Sequence, residues 1–111
     1  MKKYMALYMA PISVLEQMNK ATPEQMKTGM DGWKKWGDDN KAAIVEMGTP
    51  LGKTKTVSST SITDTKNEIC GYTIVQADSQ ADAAKLFEGH PHLSMQGATV
   101  DVLECMAMPG M

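Results

Sequence analysis

An α+β fold made of two β-α-β halves is predicted for this chain, and three observations predict it. Apolar, β-branched and aromatic runs recur at residues 4–9, 69–77 and 98–106, long enough for strands. Helix-start signals fall after the first run, at Thr22-Pro23, and after the second, at Asp78-Ser79. Between the halves, residues 51–57 form a polar, lysine-bearing stretch suited to an edge strand.

Taken in order, residues 4–9 are apolar throughout, as expected of a central strand, and Pro11 ends them. Ser13 can cap a short turn through Val14, Leu15 and Met18. Thr22, Pro23 and Gln25 form a capping box with proline at the first helical position. Met26, Met30 and Trp33 follow at helical spacing, Ile44 and Met47 extend the stripe, and Gly48 is the natural stop. Gly29, Gly32 and Gly37 weaken the middle of this helix, so a kink near Trp36-Gly37 is expected. Residues 58–67 read as a polar connection. Residues 69–77 are a strong central strand, and Asp78-Ser79 opens a second helix covered by Ala83, Ala84, Leu86 and Phe87. Gly89 ends it, His90-Pro91-His92 forms the exit, residues 98–106 the last strand and residues 108–111 a tail. The order βαββαβ is the split, ferredoxin-like arrangement: two helices on one face of a four-stranded antiparallel sheet. The strands are too apolar to leave the other face in water, so two copies are expected to pair as a dimeric α+β barrel.

Composition narrows the function classes. The 111 residues fit one domain spanning 1–111, which buries only about 60–65% of its unfolded surface. All 11 basic residues are lysine, and the formal net charge is −2. Without arginine's planar fork, a sequence-specific nucleic-acid reader or a tight polyphosphate site is not expected. Two cysteines, Cys70 and Cys105, make no disulfide framework and read as buried thiols in a reducing compartment. No run of about 18 apolar residues occurs, so a cytoplasmic protein without a membrane partner is expected.

Short stretches resemble YCII-related domains: Tyr4-Met5-Ala6-Leu7-Tyr8, Gly71-Tyr72-Thr73-Ile74 leading into Asp78-Ser79, and Gly97-Ala98-Thr99-Val100-Asp101-Val102. Asp64-Thr65-Lys66 ahead of Gly71-Tyr72 is similar to the DGPF subgroup, although Thr60-Ser61-Ile62 stands where that subgroup has Gly-Pro-Phe. The resemblance implies a dimeric α+β barrel with a cleft. Some members carry a His–Asp pair with the histidine in the first third of the chain; here no histidine precedes His90, so that pair does not transfer.

His90 and His92 are the only histidines. At a helix exit, the partial negative charge favours the protonated ring and a pKa near neutral. With Asp101 as partner carboxylate they are candidates for acid–base catalysis; the competing reading is loop capping, with Pro91 fixing the turn. Asp101 alternates with Val100 and Val102, so it is expected on the open sheet face, together with Tyr4 and Tyr8. Trp33 and Trp36 are neighbours on one helix and, with Met26 and Met30, could line a pocket for a flat apolar ligand; Tyr4 and Tyr8 are candidate ligand-binding residues beside them, and the competing reading of the helix stripe is core and dimer surface. Zinc on His90-x-His92 needs a third ligand that the spacing does not supply. Lys66 beside Asp64 reads as a solvated ion pair. No phosphate loop, dinucleotide fingerprint, Gly-x-Ser-x-Gly or Cys-x-x-Cys occurs, and no cofactor is expected.

The function these readings favour is binding of a small, partly apolar organic molecule, with cofactor-free acid–base chemistry. A non-catalytic ligand-binding or partner-stabilising module is the first alternative, and a metal-dependent enzyme using His90 and His92 is the second.

Overall fold

Alternation within the first strand decides which side of the sheet becomes core. The computed structural model describes residues 1–18 and 20–110; the end of the expected tail, Met111, lies outside them. Strand β1 (Lys2–Met9) turns Tyr4, Ala6 and Tyr8 inward, where they are buried, and leaves Met5, Leu7 and Met9 half-buried on the other face. It is flanked by β5 (Ile69–Ala77) and β6 (Thr99–Glu104), both antiparallel to it. A three-residue strand, β2 (Ile44–Glu46), pairs antiparallel with β5, giving the order β2-β5-β1-β6. That order is consistent with the ferredoxin-like arrangement.

Helices α1 (Ile12–Met18), α2 (Pro23–Asp39) and α3 (Gln80–Lys85) join the strands, and a 3-10 turn (Pro91–Ser94) precedes β6. The Thr22 capping box forms as expected, with Thr22 Oγ1 accepting from the Gln25 N–H and Gln25 Oε1 accepting from the Thr22 N–H. Ser79 caps α3 through the Asp82 N–H. Ser13 does not cap; it lies inside α1.

Helix α2 is shorter than its apolar stripe suggests. It runs unbroken through Gly29, Gly32 and Gly37 and ends at Asp39, with Asn40 as its cap. Ile44 then pairs with β5, and the Gln76 N–H donates to the Ala43 carbonyl at 2.8 Å. The open edge of β5 captures a segment whose spacing would also suit a helix, an override of local preference by tertiary pairing. Met26 and Met30 correct the stripe further: they are 54% and 71% exposed, and α2 packs only through its C-terminal half, by Trp33 and Trp36.

The strand expected at 51–57 is confined to β3 (Thr54–Val57), and it pairs with β4 (Ile62–Thr65) in a separate hairpin. The polar connection therefore carries a strand of its own. Upstream, Pro50 makes one isolated bridge to Gly71; lacking an N–H, proline cannot extend a ladder. The hairpin is exposed along almost its full length and holds a Lys55–Asp64 ion pair of 2.6 Å. Lys66 pairs with Glu16 at 2.9 Å instead of with Asp64.

Gly48 bends the chain between β2 and this hairpin with φ +77°, and an added Cβ would overlap the Tyr72 carbonyl. Gly48→Ala is expected to cost about 1–3 kcal/mol, the range for imposed backbone strain, read as a lower urea midpoint at unchanged m-value.

The core comprises Tyr4, Ala6, Tyr8, Trp36, Val75, Ala77, Ala83 and Phe87, with Val100 and Val102 packed against it. Val100 and Val102 lie under the helices as expected, and Asp101 is on the open face. Tyr4 and Tyr8 correct the expectation: they share the valines' face. Register explains it, since Tyr8 stands opposite Val100 while Leu7 stands opposite Asp101. Cys70 is half-buried, its Sγ donating to the Tyr8 carbonyl at 3.3 Å, and burial pushes its pKa up. Cys105 lies beyond β6 and is exposed, against the expectation of a buried thiol. Among the described residues no helix is long and apolar enough to cross a membrane.

Candidate functional site

The turn after α3 carries both histidines inward. Gly89, at φ +72°, reverses the chain, and Pro91 at the first position of the 3-10 turn fixes the backbone that follows. Gly32 lets this turn approach α2, because a Cβ there would stand 3.3 Å from the Pro91 ring. His90 and His92 are only 2% and 3% exposed.

Around them the aromatic side chains close. The His90 ring centroid lies 4.5 Å from Trp33, 4.6 Å from Trp36, 5.0 Å from Tyr8 and 5.9 Å from Phe87. Trp33 also meets Tyr8 edge-on at 4.4 Å, and Trp36 stacks on Phe87 at 5.1 Å. These are the spacings at which aromatic pairs gain energy beyond their area.

The polar atoms are satisfied with one exception. Tyr8 O–H donates to Thr73 Oγ1 at 2.7 Å, since the Thr73 hydroxyl proton is itself donated to the Met47 carbonyl at 2.8 Å. Trp36 Nε1–H donates to the Leu86 carbonyl at 2.8 Å, and His92 Nε2–H donates to the Met9 carbonyl at 2.8 Å. The His92 backbone N–H donates to His90 Nδ1 at 3.0 Å. A ring nitrogen that accepts is unprotonated, so hydrogen bonding assigns the His90 proton to Nε2. That Nε2 is buried without a partner.

Burial sets the charge state of the site. It pushes the His90 pKa down to about 4, with neighbouring His92 adding to the effect. The helix-exit argument pointed the other way. A helix end contributes about 0.3–1 kcal/mol, whereas a drop from 6.5 to about 4 corresponds to about 3 kcal/mol, and α3 has only six residues. Desolvation wins, and His90 is a neutral donor near pH 7. Burial likewise pushes Tyr8 up to about 12, opposed by its bond to Thr73.

The structure thus brings Tyr8, Trp33, Trp36, His90 and His92 together and leaves two candidates outside. Tyr4 lies four residues along β1, roughly 13 Å from Tyr8 at strand rise, within the core but outside this ring cluster. Asp101 is exposed on the opposite sheet face, beside a shallow groove that passes round the β6 edge between Leu7 and Leu103 and the α3 residues Gln80 and Ala84. Among the described residues no three or more His, Cys, Asp or Glu side chains converge. His90 Nδ1 accepts from the His92 backbone N–H and its Nε2 carries the proton, so that ring offers no free lone pair, which disfavours a shared metal on this pair. Phe87 and Thr73 complete the cluster but were not singled out from sequence. A signal for Thr73 exists: it is the one polar side chain among Gly71, Thr73, Val75 and Ala77 on the inward face of β5.

Fold and site together define an α+β protein with a four-stranded antiparallel sheet and a buried aromatic–imidazole cluster beneath its helices. No family model matches the chain, and no curated protein matches it. Among solved structures, it is similar to 5-chloro-2-hydroxyhydroquinone dehydrochlorinase (TftG) from Burkholderia phenoliruptrix AC1100, in complex with 2,5-dihydroxybenzoquinone. The TM-score is 0.50 at 15% identity, covering 91% of this chain and 91% of that one. At that identity the likeness shows a shared fold.

Proposed function

We propose that this chain binds a flat, partly apolar organic molecule at the aromatic–imidazole cluster, with His90 Nε2–H donating to an oxygen of the ligand. The observation that carries this reading is the unpartnered Nε2–H among four aromatic rings. A buried donor left unpaired costs about 1–3 kcal/mol, which an accepting oxygen relieves, and the rings offer stacking surfaces. Trp33 is half-buried and is the ring a ligand displaces on entering. Held neutral, His90 acts as a hydrogen-bond donor that polarises a carbonyl or quinone oxygen, in the manner of a neutral imidazole electrophile. The solved neighbour was captured with 2,5-dihydroxybenzoquinone, a ligand of this chemical type. Asp101, on the far face, is not a proton partner for His90 within one chain.

In this reading the protein is a YCII-related dimer. Two copies pair through the open sheet faces that carry Met5, Leu7, Ile74 and Leu103, because an apolar face of this kind calls for a cover.

The test is NMR titration of Cys105→Ser protein, so that quinone addition to the exposed thiol does not intrude. With 2,5-dihydroxybenzoquinone or hydroquinone, the His90 ring and Trp33 indole signals are expected to shift saturably, and His90→Phe to weaken binding at least tenfold. Signals that stay put to millimolar ligand, or equal affinity in His90→Phe, overturn the proposal.

A further inference from the structure

We propose that the 3-10 turn at Pro91–Ser94 is an acid-released latch over the aromatic cluster, fastened by the His92 N–H to His90 Nδ1 bond. This goes beyond ligand binding and is tested on the ligand-free protein, so either reading can fail alone.

The turn has few other fasteners. Its first free N–H, that of His92, has its partner in His90 Nδ1. The Leu93 N–H reaches the His90 carbonyl at 3.0 Å, the Met95 N–H reaches the His92 carbonyl at 3.3 Å, the Ser94 hydroxyl donates to the Pro91 carbonyl at 2.8 Å, and His92 Nε2–H ties the turn to β1. With the ring proton already on Nε2, the next proton must bind at Nδ1. There it turns the only side-chain acceptor of the cap into a donor facing another donor, and it puts a positive charge in a site without a counter-charge.

No packed element supplies one. From β1 the ring meets Tyr8, a neutral phenol; from α2 it meets Trp33 and Trp36; from the segment after α3 it meets Phe87; from its own turn, His92. The charged residues of those elements, Glu24, Lys27, Asp31, Lys34, Lys35, Asp38 and Asp39 on α2, Asp82, Lys85 and Glu88 on and just after α3, and Lys2 and Lys3 on β1, are all exposed. The inward face of β5 is uncharged, and Asp101 of β6 is exposed on the far side. Aromatic faces offset part of the cost of the cation but provide no anion.

The sign follows from linkage. A histidine whose pKa is depressed in the closed form binds its proton more tightly once the turn opens. Opening is therefore favoured as pH falls from 6.5 toward 4, by up to a few hundred-fold for that separation of values. The ion pairs Lys2–Glu104, Lys55–Asp64 and Lys66–Glu16 are all exposed, so losing them has little effect on stability.

Amide exchange of the full chain between pH 7 and 4, corrected for intrinsic rates, reads the latch directly. Protection at His92, Leu93 and Met95 is expected to fall about tenfold per pH unit below 6, while β1 and β5 amides stay protected. Tryptophan emission is expected to shift red over the same range. His90→Asn keeps a side-chain acceptor for the cap and removes the titration, so its turn protection is expected to be pH-independent. Should His90→Asn fold poorly, the wild-type imidazole resonances decide, since the His90 ring must stay neutral in the closed form, down to about pH 4, through the range in which turn protection falls. Protection that is flat with pH, a transition retained in His90→Asn, or simultaneous loss of β1–β5 protection overturns the latch.

Discussion

Trp36→Ala is expected to lower stability by about 3–5 kcal/mol, the cost of deleting a large buried aromatic. The 7%-exposed ring of Trp36 stacks on Phe87, borders His90 and donates Nε1–H to the Leu86 carbonyl. Its loss opens a cavity, leaves a carbonyl unpaired and removes half of the anchor of α2, whose N-terminal half is exposed. Domains of this size are stable by about 5–15 kcal/mol, so the variant sits near the edge of folding at 25 °C. Trp36→Phe separates the parts: it keeps the stack and drops only the hydrogen bond, for about 1 kcal/mol. Urea unfolding measures both. A shift below about 1 kcal/mol for Trp36→Ala would mean that α2 is held to the sheet by something other than this ring.

Leu7→Lys is expected to separate the proposed dimer without unfolding the chain. Leu7 lies in the central strand on the open face, between Tyr72 of β5 and Asp101 of β6, and is only half-buried within one copy. In a single chain the lysine can extend into water. In the pair, two copies of the charge would be desolvated near the two-fold axis. Association is expected to weaken by at least about a hundredfold in affinity, about 3 kcal/mol, seen as a monomer mass by light scattering at micromolar concentration. A wild-type monomer at the same concentration would remove the barrel, and an intact Leu7→Lys dimer would move the interface to another surface.

Much of the fold was legible in the residues. The runs at 4–9 and 69–77 and the last strand stand where expected, because each is dense in residues that favour a pleated, buried surface. The Thr22 and Ser79 caps were legible because capping depends on residues within one turn. Ile44–Glu46 was not, because three residues carry no period of their own and their strand exists only by pairing with β5. Nor was the second strand of the hairpin, Ile62–Thr65, whose polar, threonine-rich residues look like a connection until they pair with the expected strand.

Half of the candidate site was legible in the same sense. The sequence marked His90, His92, Trp33, Trp36 and Tyr8 separately, and only the packing collects them around one imidazole. It had also placed the tyrosines beside Asp101, and the register puts a sheet between them.

What the sequence by itself determined is the set of local structures: which segments become strands, where two helices begin, and which residue types are available for chemistry. The tertiary structure decided which side of each strand is inside, because a period-two pattern has no absolute reference until a neighbour is paired and a helix laid on it. It also decided the charge of His90. Helix-end position and side-chain type favour a protonated ring, but burial among aromatic rings is a property of residues far apart in the chain, and its cost outweighs theirs.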